Sequence, residues 1–212
     1  MSFSGWALSL LWPERCILCD RVVGYGQITC GLCDRQTPPL TQAACCEERP
    51  VAAVWRYQKP VPDAISRFKF QGDRDTGRKL ALLMARAWRR QCPDFGAELI
   101  TFVPMPPERQ RSRGFNQAEL LARWVGEDLA LPVVPLLRRE GVLMQHQLSA
   151  GFRRKRRDAF DLLPGSAWQA KGRRVLLVDD ITTTGGTTLA CARLLLQAGA
   201  EDAAVLVAAS GL

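Results

Sequence analysis

Two groups of residues have the types and the spacing for chemistry. The first is the run Val175-Leu-Leu-Val178-Asp179-Asp180-Ile-Thr-Thr183-Thr184-Gly185-Gly186-Thr187-Thr188. Its four apolar residues read as a short strand of the kind that a parallel sheet buries on both faces. Two carboxylates follow at the strand's end, the edge where open α/β sheets bind ligands. The Thr/Gly turn then brings hydroxyls and backbone N–H groups to the positive end of a helix, which suits a phosphate dianion. Its glycines let the backbone approach that phosphate closely. Adjacent carboxylates suit the two hydroxyls of a ribose with a divalent cation nearby. A ribose 5-phosphate satisfies both halves of the pattern. The competing reading is that Asp179 and Asp180 only cap the next helix and the threonines form its first turn.

The second group is the cysteines. There are eight, and six lie between residues 16 and 46. Cys16 and Cys19 form one C-x-x-C knuckle and Cys30 and Cys33 a second. Each knuckle offers two thiolates to one ion, and four thiolates close a tetrahedral structural zinc site with no open position for catalysis. The alternative is a set of redox-active or simply buried thiols. Cys45 and Cys46 stand side by side, and exchange of either with one of the four ligands stays open. A disulfide framework needs an oxidising compartment. The stretch Met1–Trp12 lacks the charged start and apolar core of a secretory signal, so a cytoplasmic setting is expected. Cys92 and Cys191 stand alone, and Cys191 lies on an apolar helix face typical of core.

The elements that must position these groups follow from periodicity. Phe3, Trp6, Leu10 and Leu11 have near-helical spacing, for packing on the domain or contact with a membrane surface. Val51–Tyr57 reads as a strand, and Pro60 and Pro62 open a short helix carrying Ile65 and Phe68. A helix over Thr76–Gln91 aligns Leu80, Leu83, Met84, Ala87 and Trp88 on one stripe. Strands are expected over Leu99–Val103, Val133–Leu137, Val175–Val178 and Ala203–Ala209. Helices are expected over Asn116–Ala130 and Gly186–Ala198, the latter stopped by Gly199. Strand and helix alternate from residue 99 onward, which implies an α/β fold with a parallel sheet and right-handed crossovers.

Composition narrows the partners. The chain has 212 residues, 47% of them hydrophobic, and a net charge of +8. That excludes wholesale disorder, and no apolar run approaches a membrane span. From Pro104 to Arg157 there are eleven Arg or Lys and five acids, so this segment carries most of the excess. A pyrophosphate group would use such charge. A nucleic-acid backbone would too, with the run Arg153, Arg154, Lys155, Arg156 and Arg157 as its natural contact. A solvated basic face explains some of these residues. The single histidine, His146, falls in the same stretch and reads as a solvated loop residue.

The run from Val175 to Thr188 closely resembles the phosphoribosyl pyrophosphate motif of type I phosphoribosyltransferases. The resemblance implies that Asp179 and Asp180 serve as catalytic and ribose-binding acids. It implies that Thr183, Thr184, Gly185, Gly186 and Thr187 hold the 5-phosphate. It places pyrophosphate near Pro104 and Met105, with Arg109, Arg111 and Arg113, and a mobile loop over Gln145–Arg157. Mg²⁺ would accompany phosphoribosyl pyrophosphate.

Further segments narrow the resemblance. They are the Cys knuckles, Arg113-Gly-Phe-Asn-Gln117, and Gln147-Leu-Ser149 followed by Arg153–Arg157 and Phe160. Together they are similar to the ComF family of bacterial proteins, across nearly the whole chain. That likeness implies a helix and zinc-finger-like module over residues 1–50 and a phosphoribosyltransferase-like domain over 51–212. Within the latter, 51–98 would supply a hood and leading helices and 99–212 the core sheet. It implies a role in natural transformation or in the use of external DNA as nutrient, with single-stranded DNA and the uptake machinery as partners. The implied place is the cytoplasm, with an attachment at the periphery of the inner membrane left open. A regulatory protein that keeps the pocket as a ligand sensor is the alternative to an enzyme. The family commonly has a third C-x-x-C pair where this chain has Cys45-Cys46. Base contacts that many relatives take from a C-terminal segment would come here from Val51–Phe70. Lys69, Gly72 and Asp73 border that region and could belong to the site, with a solvated loop as the preferred reading.

Overall fold

The computed structural model describes residues 13–139 and 160–212. The expectations for the N-terminal apolar face, for His146 and for the basic run Arg153–Arg157 lie outside these residues. In chain order the elements are α1 (Gly31–Gln36), β1 (Ala44–Cys46), β2 (Arg49–Arg56), α2 (Val61–Gln71), α3 (Arg74–Gln91), β3 (Leu99–Phe102) and α4 (Pro107–Arg113). There follow α5 (Gln117–Leu129), β4 (Leu137–Arg139), β5 (Phe160–Leu162), α6 (Ala167–Ala170), β6 (Arg174–Thr182), α7 (Gly186–Gln197) and β7 (Asp202–Ser210).

Among the described residues the main sheet has five strands in the order β1-β2-β7-β6-β3. β2, β7, β6 and β3 run parallel, and β1 is an antiparallel edge. Val175, Leu176, Leu177 and Val178 are each 0% exposed. Successive strand residues point to opposite faces, so both faces of the sheet are covered there. This is the α/β parallel sheet that the alternation predicts.

Three expectations need correction. The core sheet does not begin at residue 99: β2 pairs in parallel with β7, Val51 opposite Val205 and Trp55 opposite Ala209. A strand and two helices precede β3, and the alternation that starts at residue 99 left that strand out of the count. Val133–Leu137 is not a continuous strand. Val133 makes an isolated parallel bridge to Ile100, and Pro135, which has no N–H to donate, ends the ladder. The chain resumes as β4, which pairs antiparallel with β5. Finally, β6 runs on to Thr182, so Asp179 and Asp180 belong to the strand and do not merely follow it.

Helices α2, α3 and α5 meet at a tight junction. An atom added as Cβ on Gly77 would stand 2.5 Å from the Phe68 ring and 2.8 Å from Trp124. Only glycine lets α3 come that close to both neighbours. Phe68 in turn packs on Phe115 and Trp124, with ring centroids 5.7 and 6.3 Å away. The Cys segment joins this core: Cys16, Ile17, Leu18 and Cys33 are buried in the same apolar cluster as the sheet.

Candidate functional site

The carboxyl ends of β2, β3 and β6 open into one cleft of about 430 Å³. Its walls include Tyr57, Lys69, Phe70, Pro104, Met105, Arg109, Arg113, Asn116, Gln117, Arg139, Asp179, Asp180 and Thr187. The sequence-predicted Pro104, Met105, Arg109, Arg113, Asp179, Asp180 and Thr187 are therefore gathered at one place. Arg111 is exposed on α4 and is not among the walls. The remaining threonine and glycine positions, 183 to 186, form the turn beside the cleft and are not among its walls either.

Local sequence explains why these side chains converge. Gly114 takes φ 82°, ending α4 with its N–H donated to the Gln110 carbonyl. Phe115 anchors on Phe68. Asn116 then caps α5: its side chain accepts from the Ala118 N–H and donates to the Val103 carbonyl at 3.3 Å. The segment Arg113-Gly-Phe-Asn-Gln117 is thus a helix stop, an aromatic anchor and a helix start. It fixes the loop after β3 against the sheet and turns Arg113 toward the cleft.

The Thr/Gly turn is stitched from below. Thr188 donates to the Gly185 carbonyl at 3.1 Å, and its hydroxyl lies 3.3 Å from that of Thr182. Both threonines are buried. Thr183, Thr184, Gly186 and Thr187 stay exposed at the start of α7. Gly185 occupies the N-cap at φ 80° and makes no side-chain cap. The acids do not cap this helix, and the turn presents the helix's positive end outward.

The cleft separates charge. Asp180 is buried, and Lys69 of α2 forms an ion pair with its Oδ2. Burial pushes the Asp179 carboxyl up to about 7, with Lys69 and then Arg139 pulling the other way. Burial lowers Lys69 to about 8, opposed by Asp179 and reinforced by Arg113. Across the cleft, burial lowers Arg113 and the neighbouring Arg109 charge adds to this. The Arg113 guanidinium lies 4.7 Å from the centroid of Phe70, a ring that is 71% exposed. Neither Arg109 nor Arg113 has an acidic partner among the described residues. Two uncompensated guanidiniums facing a cleft attract an anion.

The sequence favours a solvated loop for Lys69 over a place in the site. The structure corrects that: it sits in the last turn of α2, with its side chain 20% exposed. Its position four residues after the buried Ile65 puts it on the inward stripe, a signal present in the sequence. Gly72 and Asp73 lie outside the cleft walls. Gly72 ends α2 at φ 66°, and Asp73 caps α3 by accepting from the Thr76 N–H at 3.0 Å. Tyr57 and Phe70 fall within the stretch Val51–Phe70 expected to supply base contacts, whereas Asn116, Gln117 and Arg139 are brought to the cleft only by the tertiary arrangement.

The second candidate centre is the thiol group. The sulfurs of Cys16, Cys19, Cys30 and Cys33 all lie within 4.8 Å of one another, a set that can hold a metal ion. Cys19 and Cys30 Sγ are 3.6 Å apart, close to the ~3.8 Å edge of a tetrahedron with metal–sulfur bonds of about 2.3 Å. The Cys33 N–H donates to Cys30 Sγ at 3.5 Å and the Cys30 N–H to Cys16 Sγ at 3.3 Å. The first of these helps hold Cys30 down to about 6, whereas burial pushes Cys33 up. Thiols that oppose one another's ionisation in this way suit a shared cation. Cys45 and Cys46 lie outside the group. Cys191 is wholly buried, as its helix face predicts.

Among the described residues no helix is long and apolar enough to cross a membrane. The phosphoribosyl transferase domain family matches residues 166–211. Competence protein ComFC of Bacillus subtilis (strain 168) is 30% identical over 212 residues, covering 91% of this chain and 83% of that protein. Competence protein F of Haemophilus influenzae is 33% identical over 194 residues, covering 88% and 80%. DNA utilization protein YhgH of Salmonella typhi is 30% identical over 199 residues, covering 90% and 81%. Among solved structures, adenine phosphoribosyltransferase from Thermoanaerobacter pseudethanolicus aligns with TM-score 0.40 and 20% identity, over 64% of this chain and 66% of that one. The allosteric regulatory enzyme of purine biosynthesis aligns with TM-score 0.43 and 22% identity, over 62% of this chain and a quarter (25%) of that one.

Proposed function

This chain belongs to the ComF family of competence and DNA utilization proteins, and from that premise we propose that its cleft binds phosphoribosyl pyrophosphate with Mg²⁺ in the service of DNA uptake or use. One observation carries the reading: two adjacent acids near the end of β6 share a cleft of about 430 Å³ with two guanidiniums that have no acidic partner among the described residues. That volume falls within the range of small-molecule sites.

In this reading Asp179 and Asp180 accept from the ribose hydroxyls. The turn at Thr183, Thr184, Gly185, Gly186 and Thr187 donates to the 5-phosphate at the head of α7. Arg109 and Arg113, beside Pro104 and Met105, face the pyrophosphate. Asp179 and Asp180 offer the hard carboxylate oxygens that would hold an Mg²⁺ accompanying the diphosphate, and that cation would offset the diphosphate charge. As an enzyme, the protein breaks the bond from the anomeric carbon to pyrophosphate while a nucleophile attacks that carbon. Its residues act by orientation and by stabilising the departing charge.

Zinc fits the four-thiol group as a closed structural site held by Cys16, Cys19, Cys30 and Cys33. Bound there, it would tie the two C-x-x-C segments together beside the main core, with no coordination position left for a substrate. We place the protein's work on the cytoplasmic side, where incoming single-stranded DNA is handled.

The test is calorimetric titration of the zinc-loaded protein with phosphoribosyl pyrophosphate and Mg²⁺, beside a variant carrying Asp179→Ala and Asp180→Ala. Binding in the micromolar range that the variant loses, with its thermal transition retained, is the expected result. Equal affinity in the two proteins refutes the assignment of the acids. Release of pyrophosphate on adding a nucleobase separates a transferase from a ligand sensor.

A further inference from the structure

Lys69 has no role in the reading so far, and its position assigns it one that depends on that reading. We propose that Lys69 is the cleft's resident cation: its ammonium fills the place beside Asp180 that a divalent cation would take, and the metal must displace it to enter.

The first support is the state of Asp180. The residue is 9% exposed, and its Oδ2 is buried without a hydrogen-bond partner among the described residues. Its compensation is the ion pair with Lys69. A buried carboxylate oxygen with no other partner among the described residues needs a cation within contact distance. An oxygen held in this way is also a ligand atom aimed into the cleft, ready for any hard cation that replaces the ammonium.

The second support is mechanical. Helix α2 is fixed by Val61, Ala64, Ile65 and Phe68, all at most 1% exposed. The ammonium rides on a flexible four-carbon stem above this anchor. It can leave Asp180 while the helix stays in place.

The third support is where the displaced charge would go. Arg109 and Arg113 stand in the same cleft, without acidic partners among the described residues. An entering diphosphate gives the released ammonium a new counter-charge beside them. The exchange is therefore balanced for a cation–diphosphate pair, whereas a bare divalent cation must expel the ammonium with nothing to receive it. A free cation should bind poorly, and removing the lysine charge should free its place.

The experiment titrates Mn²⁺ alone, by calorimetry and by its free-ion paramagnetic signal, into zinc-loaded protein without any phosphosugar. Lys69→Met and Lys69→Gln should bind Mn²⁺ at least about tenfold more tightly than the parent, as removal of a contact charge in a partly buried site implies. Lys69→Arg keeps the charge and should bind as weakly as the parent. Adding Asp180→Asn to Lys69→Met should abolish the gain. A simple structural defect would not improve metal affinity, and the glutamine variant serves if the methionine variant does not fold. An unchanged Mn²⁺ affinity in a folded variant overturns the proposal, as does a gain that survives Asp180→Asn. If the parent binds phosphoribosyl pyrophosphate and the gain is absent, only the role of Lys69 falls. If the parent does not bind it and the gain is present, the ligand reading falls and the place of Lys69 stands.

Discussion

The sulfur of Cys46 lies 2.9 Å from the point where a Cβ on Gly185 would stand. Cys46 ends β1, the strand that follows the thiol group, and Gly185 caps the helix at the candidate phosphate turn. The next residue, Glu47, pairs with Arg193 farther along α7. The sheet's antiparallel edge therefore forms the floor on which the Thr/Gly turn rests. The cysteine pair that looks like spare metal ligand in the sequence is in part a packing element, since successive strand residues face opposite ways. Cys46 meets the turn and Cys45 is exposed.

Gly185→Ala should therefore be destabilising for two separable reasons. Its φ of 80° is a left-handed conformation, which costs a residue with a Cβ about 1–2 kcal/mol. The new methyl group also meets the Cys46 sulfur. Urea denaturation should show a loss of roughly 2–3 kcal/mol. Cys46→Ala in the same chain should recover the steric part and leave the backbone part. A loss below about 0.5 kcal/mol in Gly185→Ala would mean that the turn relaxes freely.

Cys16→Ser should release the bound metal. Cys16 is 1% exposed, contributes one of the four clustered sulfurs and accepts the Cys30 N–H. Serine offers a poorer ligand and a shorter reach. Metal analysis after dialysis should give close to one zinc per chain for the parent and for Cys45→Ser, and little for Cys16→Ser. The thermal transition of Cys16→Ser should fall by roughly 5–10 °C, the scale of a few kcal/mol in a domain of this size. A full metal complement in Cys16→Ser, or its loss in Cys45→Ser, would assign the ligands differently.

The parts of this molecule that were legible in the sequence are those written locally. The knuckles announce their cluster through spacing. The run from Val175 to Thr188 announces a buried strand, an acid pair and a helix start within one short segment. Asn116 and Gly199 mark helix ends where the structure has them. Three things depend on tertiary pairing and were not legible. β2 is an ordinary apolar strand until β7 returns beside it, some 150 residues later in the chain. Val133–Leu137 has strand composition, but Pro135 limits its pairing beside β3 to a single bridge. Lys69 looks like a surface lysine next to an exposed Phe70, and only the docking of α2 over the end of β6 reveals its partner. Charge balance across a cleft is a property of several elements at once, which periodicity along one of them does not register.

The raised Asp179 gives a pH dependence whose sign is fixed. Its carboxyl titrates near 3.8 in the unfolded chain and at about 7 in the folded one, chiefly through desolvation. Between those values the folded state holds a proton that the unfolded state has lost. Stability therefore falls as pH rises through this window and reaches its full penalty above pH 7. Lys69 and Arg139 oppose the shift, so the penalty is what remains after their attraction. Asp179→Asn removes the ionisation, and its stability relative to the parent should improve as pH is raised. A rise from 3.8 to about 7 corresponds to about 4 kcal/mol at most. Asp179 keeps some exposed surface, so a relative gain of about 1–2 kcal/mol between pH 5 and pH 7.5 is expected. Urea denaturation of both proteins at the two pH values measures it. A constant offset between the two would show that Asp179 titrates like an ordinary surface carboxylate. The relative gain at neutral pH would show that the folded protein carries a charge it does not need for stability, which is the condition expected of a group held for a ligand.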